Sequence, residues 1–148
     1  MRIIFHVGLS KTGTTAIQAF LDQRPEQLQK AGFWLPGQRE QTAGAPAKSG
    51  NGFELFLKIN AANPDAAAWA GDIEAYLRAA VEEAKAAGCE QILFSSESFC
   101  SLTKEKWVAF AQILGRFDCD YLFVLFEREP YSWCFSSWLQ QVRRCGLT

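Results

Sequence analysis

Residues 3–15, Ile3-Ile4-Phe5-His6-Val7-Gly8-Leu9-Ser10-Lys11-Thr12-Gly13-Thr14-Thr15, decide how this chain folds. A mostly apolar run reads as a buried strand, Gly8 and Gly13 bound a loop, and a helix follows over Ala16 to Leu21. In a strand-loop-helix turn of this kind, backbone N–H groups converge on one point and the helix N-terminus adds partial positive charge. An anion, phosphate above all, is the ligand such a turn suits.

The spacing from Gly8 to Gly13 imitates the phosphate loop of nucleoside triphosphatases, but that pattern requires Lys directly after the second Gly, where this chain has Thr14. The lysine stands inside the loop, at Lys11. It would reach a different part of the ligand, which argues against an ordinary ATPase or kinase. Two further segments pair a strand with a polar terminus. Tyr121 to Glu127 is apolar until its last residue and leads into Arg128-Glu129-Pro130, with Ser136 eight residues after Arg128. Ile92-Leu93-Phe94-Ser95-Ser96-Glu97 ends a buried strand with a carboxylate.

Lys-Thr-Gly-Thr-Thr at residues 11–15 resembles the 5′-phosphosulfate loop of sulfotransferases that use 3′-phosphoadenosine 5′-phosphosulfate (PAPS), and Arg128 with Ser136 resembles their 3′-phosphate element. The resemblance is close over residues 3–21 and 121–138 and looser at 92–97. It implies that Lys11, Thr12, Gly13, Thr14 and Thr15 cradle the phosphosulfate, that Arg128 and Ser136 bind the 3′-phosphate, and that no metal is needed. It also implies Glu97 as the general base, because some members carry Ser-Glu at the end of this strand. An acceptor-binding or helix-capping Glu97 is the alternative. Acceptors across the family are small phenols, carbohydrates, lipids and protein tyrosines. Complete members continue past the Arg/Ser element into further helices and a basic, glycine-containing loop. The chain therefore reads as one sulfotransferase-like domain over 1–148, either the N-terminal part of a longer one or a shortened relative.

Composition sets the frame. A chain of 148 residues with 49% hydrophobic and 14% aromatic content can bury a core as a single domain. A net charge of −1 supplies no field for nonspecific nucleic-acid binding, so any anion site is local. Five separated cysteines with no CxxC pair, and His6 as the one histidine, speak for reduced thiols and against zinc. No leader or transmembrane pattern is visible, which makes the cytoplasm the expected compartment.

The remaining pattern predicts an α/β fold: a P-loop-like three-layer sandwich with a parallel sheet flanked by helices. Strands are expected at Arg2–Val7, Phe33–Leu35, Gln91–Ser95 and Tyr121–Glu127, and further helices at Asp65–Ala87, Thr103–Arg116 and Tyr131–Arg144. Residues 36–52, rich in Gly, Pro and Ala, read as a long loop, with Trp34 and Phe53 at its ends as candidate acceptor-pocket residues. His6 reads as a hydrogen-bonded structural residue, and Trp69, Trp107, Trp133 and Trp138 as packing residues. The aromatic helix at 131–142 is expected to cover itself on a partner subunit if no further layer exists. Two rival functions stand beside sulfuryl transfer. One is a nucleotide kinase or ATPase with an altered loop, and the other is a catalytically degenerate nucleotide-binding or assembly module.

Overall fold

Four parallel strands carry the architecture, in a computed structural model that describes residues 1–9, 12–37, 50–61 and 65–144. They are β1 (Arg2–Gly8), β2 (Phe33–Trp34), β3 (Gln91–Ser96) and β4 (Asp120–Phe126), in the order β2-β3-β1-β4. Parallel neighbours need crossovers, and these are right-handed in nearly all proteins. The step from β1 to β2 runs one way along the sheet, while β2 to β3 and β3 to β4 run the other way. Helices α1 (Thr14–Gln23) and α2 (Pro25–Lys30) therefore cover one face, and α3 (Phe53–Asn60), α4 (Ala66–Ala86) and α5 (Lys104–Leu114) cover the other. Their contacts follow this division: α1 packs on α2, while α3, α4 and α5 touch one another. The result is the three-layer α/β sandwich that the sequence predicts.

Aromatic rings fill the face under α3, α4 and α5. Phe5 of the central strand stacks on Phe94 at 5.7 Å and on Phe123 at 5.0 Å, and meets Phe99 and Phe110 edge-on. Ile73 and Leu77 of α4, Leu55 and Ile59 of α3, and Ile113 of α5 close over them. Each such fully buried side chain contributes roughly 1.5–3 kcal/mol. The helices start where the chemistry allows. Asp65 accepts from the N–H groups of Ala67 and Ala68 to open α4, and Thr103 accepts from that of Lys106 to open α5.

Three expectations are corrected. α2 and α3 are absent from the sequence reading: α2 buries no residue and so carries no apolar period, whereas Leu55, Phe56 and Ile59 of α3 do hold helical spacing. β4 is expected to be covered on both faces, but as the edge strand it leaves Leu122, Phe123, Leu125 and Phe126 half-exposed. Trp133 and Trp138, expected in the core, are exposed on α6 (Pro130–Arg144) beside Tyr131 and Phe135, whereas Trp69 and Trp107 do pack against the core. Of the long loop, residues 38–49 lie outside the described residues. Cys89, Cys100, Cys119 and Cys134 are not in disulfides. Among the described residues, no helix is long and apolar enough to cross a membrane.

Candidate active site

Strand register brings the polar termini together. Gly8 of β1 lies opposite Phe126 of β4, and Val7 lies opposite Ser96 of β3, so the segments after all three strands leave from one sheet edge. Open α/β sheets bind ligands at this carboxyl edge. Here Thr12 and Gly13, from the loop after β1, and Glu127 and Arg128, from the end of β4, line one cleft of about 300 Å³. Two motifs more than a hundred residues apart in sequence thus face each other. A phosphoryl group suits this cleft chemically: it offers a guanidinium on one wall and the start of a helix on the other.

Gly13 shapes the helix start. It adopts a φ of 87°, a left-handed conformation that favours glycine, and caps α1 through its carbonyl, which accepts from Ala16 at 3.0 Å and Ile17 at 3.3 Å. Thr14 and Thr15 are the first residues of α1, in the turn whose N–H groups have no acceptor within the helix itself. The Thr12 hydroxyl donates to the Leu9 carbonyl at 2.6 Å and tightens the loop. Lys11 lies outside the described residues.

Glu97 joins this group through a hydrogen bond that the sequence does not reveal. The Thr14 hydroxyl donates to its Oε2 at 3.0 Å. The close approach depends on Gly8, where an added Cβ would sit 2.1 Å from the Thr14 methyl carbon and 3.6 Å from the Glu97 Cα. Glu97 opens a 3₁₀ turn (Glu97–Ser101), and the Ser96 hydroxyl, rather than Glu97, caps it by accepting from Ser98 N–H. On the β4 side, both Glu129 carboxylate oxygens accept from α6, from Tyr131 N–H at 2.9 Å and Ser132 N–H at 2.8 Å. Those bonds hold the Glu129 carboxyl below its ordinary range. Ser136 is half-buried on α6 and does not line the cleft, and neither does Thr15, which is exposed.

A second feature missed in the sequence is Gly50-Asn51-Gly52. β2 ends beside Ile92, leaving the next backbone groups of β3 without a strand neighbour on that side. Asn51 takes the place of one: its amide donates to the Leu93 carbonyl at 2.6 Å, and its Oδ1 accepts from Ser95 N–H at 3.0 Å. Gly52 N–H donates to the Ser95 carbonyl at 3.0 Å. The clamp fixes the chain next to the Ser95-Ser96-Glu97 terminus. An asparagine between two glycines was the available signal.

His6 lies behind the site, 4% exposed, with Nδ1 hydrogen-bonded to Ser95 Oγ at 2.8 Å and the ring edge-on to Phe126. Burial pushes its imidazole below its ordinary value of 6.5. The unfolded chain therefore takes up the proton first as pH falls, and binds more protons than the folded one just below that value. Stability should be intact above it and lost progressively as pH falls toward the depressed value. Thermal midpoints measured from about pH 7.5 to 5.5 should fall in the wild type and stay flatter in His6→Gln. Equal slopes would assign the effect elsewhere, and no other histidine competes.

A larger cavity of about 680 Å³ lies beside β2 and α4, lined by Trp34, Tyr76 and Glu83 among others, and no motif residue borders it. Trp34 is buried there and donates its indole N–H to Glu83, while Phe53 stacks on Phe56 at the start of α3 and borders neither cavity. Size alone does not mark a candidate site, because the Arg128 guanidinium and Gly13 at the helix start both border the smaller cleft. Compared with known proteins, the chain matches no family model, no curated protein and no solved structure.

Proposed function

We propose that this domain binds PAPS and transfers its sulfuryl group, by in-line displacement, to an acceptor hydroxyl or amine on a small molecule, carbohydrate or lipid. The observation that carries this reading is the cleft shared by Thr12, Gly13, Glu127 and Arg128, in which the two motif regions meet. In the proposed chemistry Arg128, with Ser136 following on α6, binds the 3′-phosphate. The N–H groups of Thr14 and Thr15 receive the phosphosulfate. Glu97 accepts the acceptor's proton as the new bond from the acceptor oxygen or nitrogen to sulfur forms, and the bond from sulfur to the 5′-phosphate oxygen breaks with its electron pair left on that oxygen. Lys11 neutralises that oxygen. Charge grows there only as the bond breaks, so an ammonium acts more on the transition state than on the bound donor.

Lys11→Ala should therefore lower PAPS turnover by about 10²-fold while adenosine 3′,5′-bisphosphate binds within a few-fold of wild type. Turnover is read as bisphosphate released with a phenol, a hexosamine or water as acceptor. Equal losses in turnover and binding would contradict the role given to Lys11. A second reading, a nucleotide-binding assembly module, draws on the exposed aromatic side chains of α6 and the half-exposed β4. Tight bisphosphate binding with no PAPS consumed would favour it.

A further inference from the structure

We infer that Thr14 divides its two donors between two partners: its backbone N–H serves the phosphosulfate, and its side-chain hydroxyl holds Glu97 in place. Loading the loop and aiming the base then depend on one residue. The inference rests on the sulfotransferase reading and deepens it, because the resemblance alone gives the whole of Thr14 to the donor.

The geometry separates the two groups. The N–H of Thr14 is the first of α1 and has no helical acceptor. The hydroxyl is already engaged, donating to Glu97 Oε2 at 3.0 Å. Its direction is fixed by packing. Thr14 is 2% exposed, and its methyl group fills the notch that Gly8 leaves open, where even one added carbon would come within 2.1 Å. A β-branched side chain in a helix has few rotamers, and with the methyl seated in that notch the hydroxyl points at the carboxylate. Among the described residues no donor holds Oε1 of Glu97, which leaves that oxygen for the acceptor's proton. Thr14 is thus a positioning residue for Glu97. Small displacements of a catalytic group cost rate without costing affinity, and this separates the role from that of a phosphate ligand.

The test compares Thr14→Val, which keeps the shape and removes the hydroxyl, with Thr14→Ser, which keeps the hydroxyl. PAPS turnover and calorimetric affinity for adenosine 3′,5′-bisphosphate are measured for both. Thr14→Val should turn over about 30-fold more slowly, while binding the bisphosphate within about threefold of wild type, and Thr14→Ser should regain most of the rate. If Thr14→Val does not fold, Thr14→Ala set against Thr14→Ser makes the same comparison. Unchanged turnover in Thr14→Val, or a tenfold loss of bisphosphate affinity matching the loss of rate, would overturn the inference and leave the sulfotransferase reading standing. A wild type that binds no bisphosphate would remove that reading, and this inference with it.

Discussion

Glu97→Gln is expected to lower PAPS turnover by about 10³-fold at neutral pH, the scale of a lost general base. Gln keeps the shape of the side chain and can still accept from the Thr14 hydroxyl, so the 3.0 Å contact and the fold around it should survive. It cannot take a proton from an acceptor. Adenosine 3′,5′-bisphosphate should bind as to the wild type, since neither Glu97 oxygen lines the cleft beside Arg128. Turnover within threefold of wild type would remove Glu97 as the base and return it to the acceptor-binding role. A weakened bisphosphate affinity would instead mean that the substitution disturbs the loop, and the Thr14 contact would then be the part to re-examine.

The second large effect is structural. Gly50→Ala should cost about 2–4 kcal/mol, a lowering of the thermal midpoint by roughly 10 °C, because an overpacked atom and a left-handed backbone act together. Gly50 has a φ of 73°, and a Cβ there would lie 2.1 Å from the Ser95 carbonyl oxygen and 2.8 Å from Gln18 Nε2. A backbone atom of the sheet cannot move aside cheaply. The strain falls on the Asn51 clamp, and Ser95 leads directly into Ser96 and Glu97, so turnover should fall along with stability. Gly71 is the control. It lies within α4 with no atom within 4 Å of an added Cβ, and alanine there should be neutral or stabilising. A thermal midpoint for Gly50→Ala within about two degrees of wild type would contradict the clamp.

What could be read from the sequence follows the range over which each signal acts. β1 and β3 announce themselves as continuous apolar runs because both are covered on two faces, and α4 and α5 by helical spacing with Asp65 and Thr103 at their starts. These are local signals. β4 has the same apolar composition, yet its place at the sheet edge is a property of strand order, which no local pattern records. The same limit hides the contact between Thr14 and Glu97, whose positions are separated by 83 residues and joined only by the parallel register of β1 and β3. Asn51 illustrates it again. Its carboxamide stands in for a missing strand because β2 is only two residues long; a short strand at Phe33–Leu35 is legible in the sequence, but not that a residue 16 positions later fills the place it leaves beside β3. That Thr12 and Gly13 share a cleft with Arg128 is a long-range relation that only the resemblance of the paired motifs implied, not periodicity.

The measurement that bears most directly on this account is calorimetric titration of the protein with adenosine 3′,5′-bisphosphate, beside AMP and ATP with Mg²⁺. A cleft that reads a 3′-phosphate through Arg128 predicts micromolar binding of the bisphosphate, binding of AMP weaker by at least about tenfold, as a charge-assisted contact to phosphate requires, and no preference for ATP. Equal affinity for AMP and the bisphosphate, or tighter Mg²⁺-dependent binding of ATP, would contradict the account and favour a nucleotide kinase or ATPase.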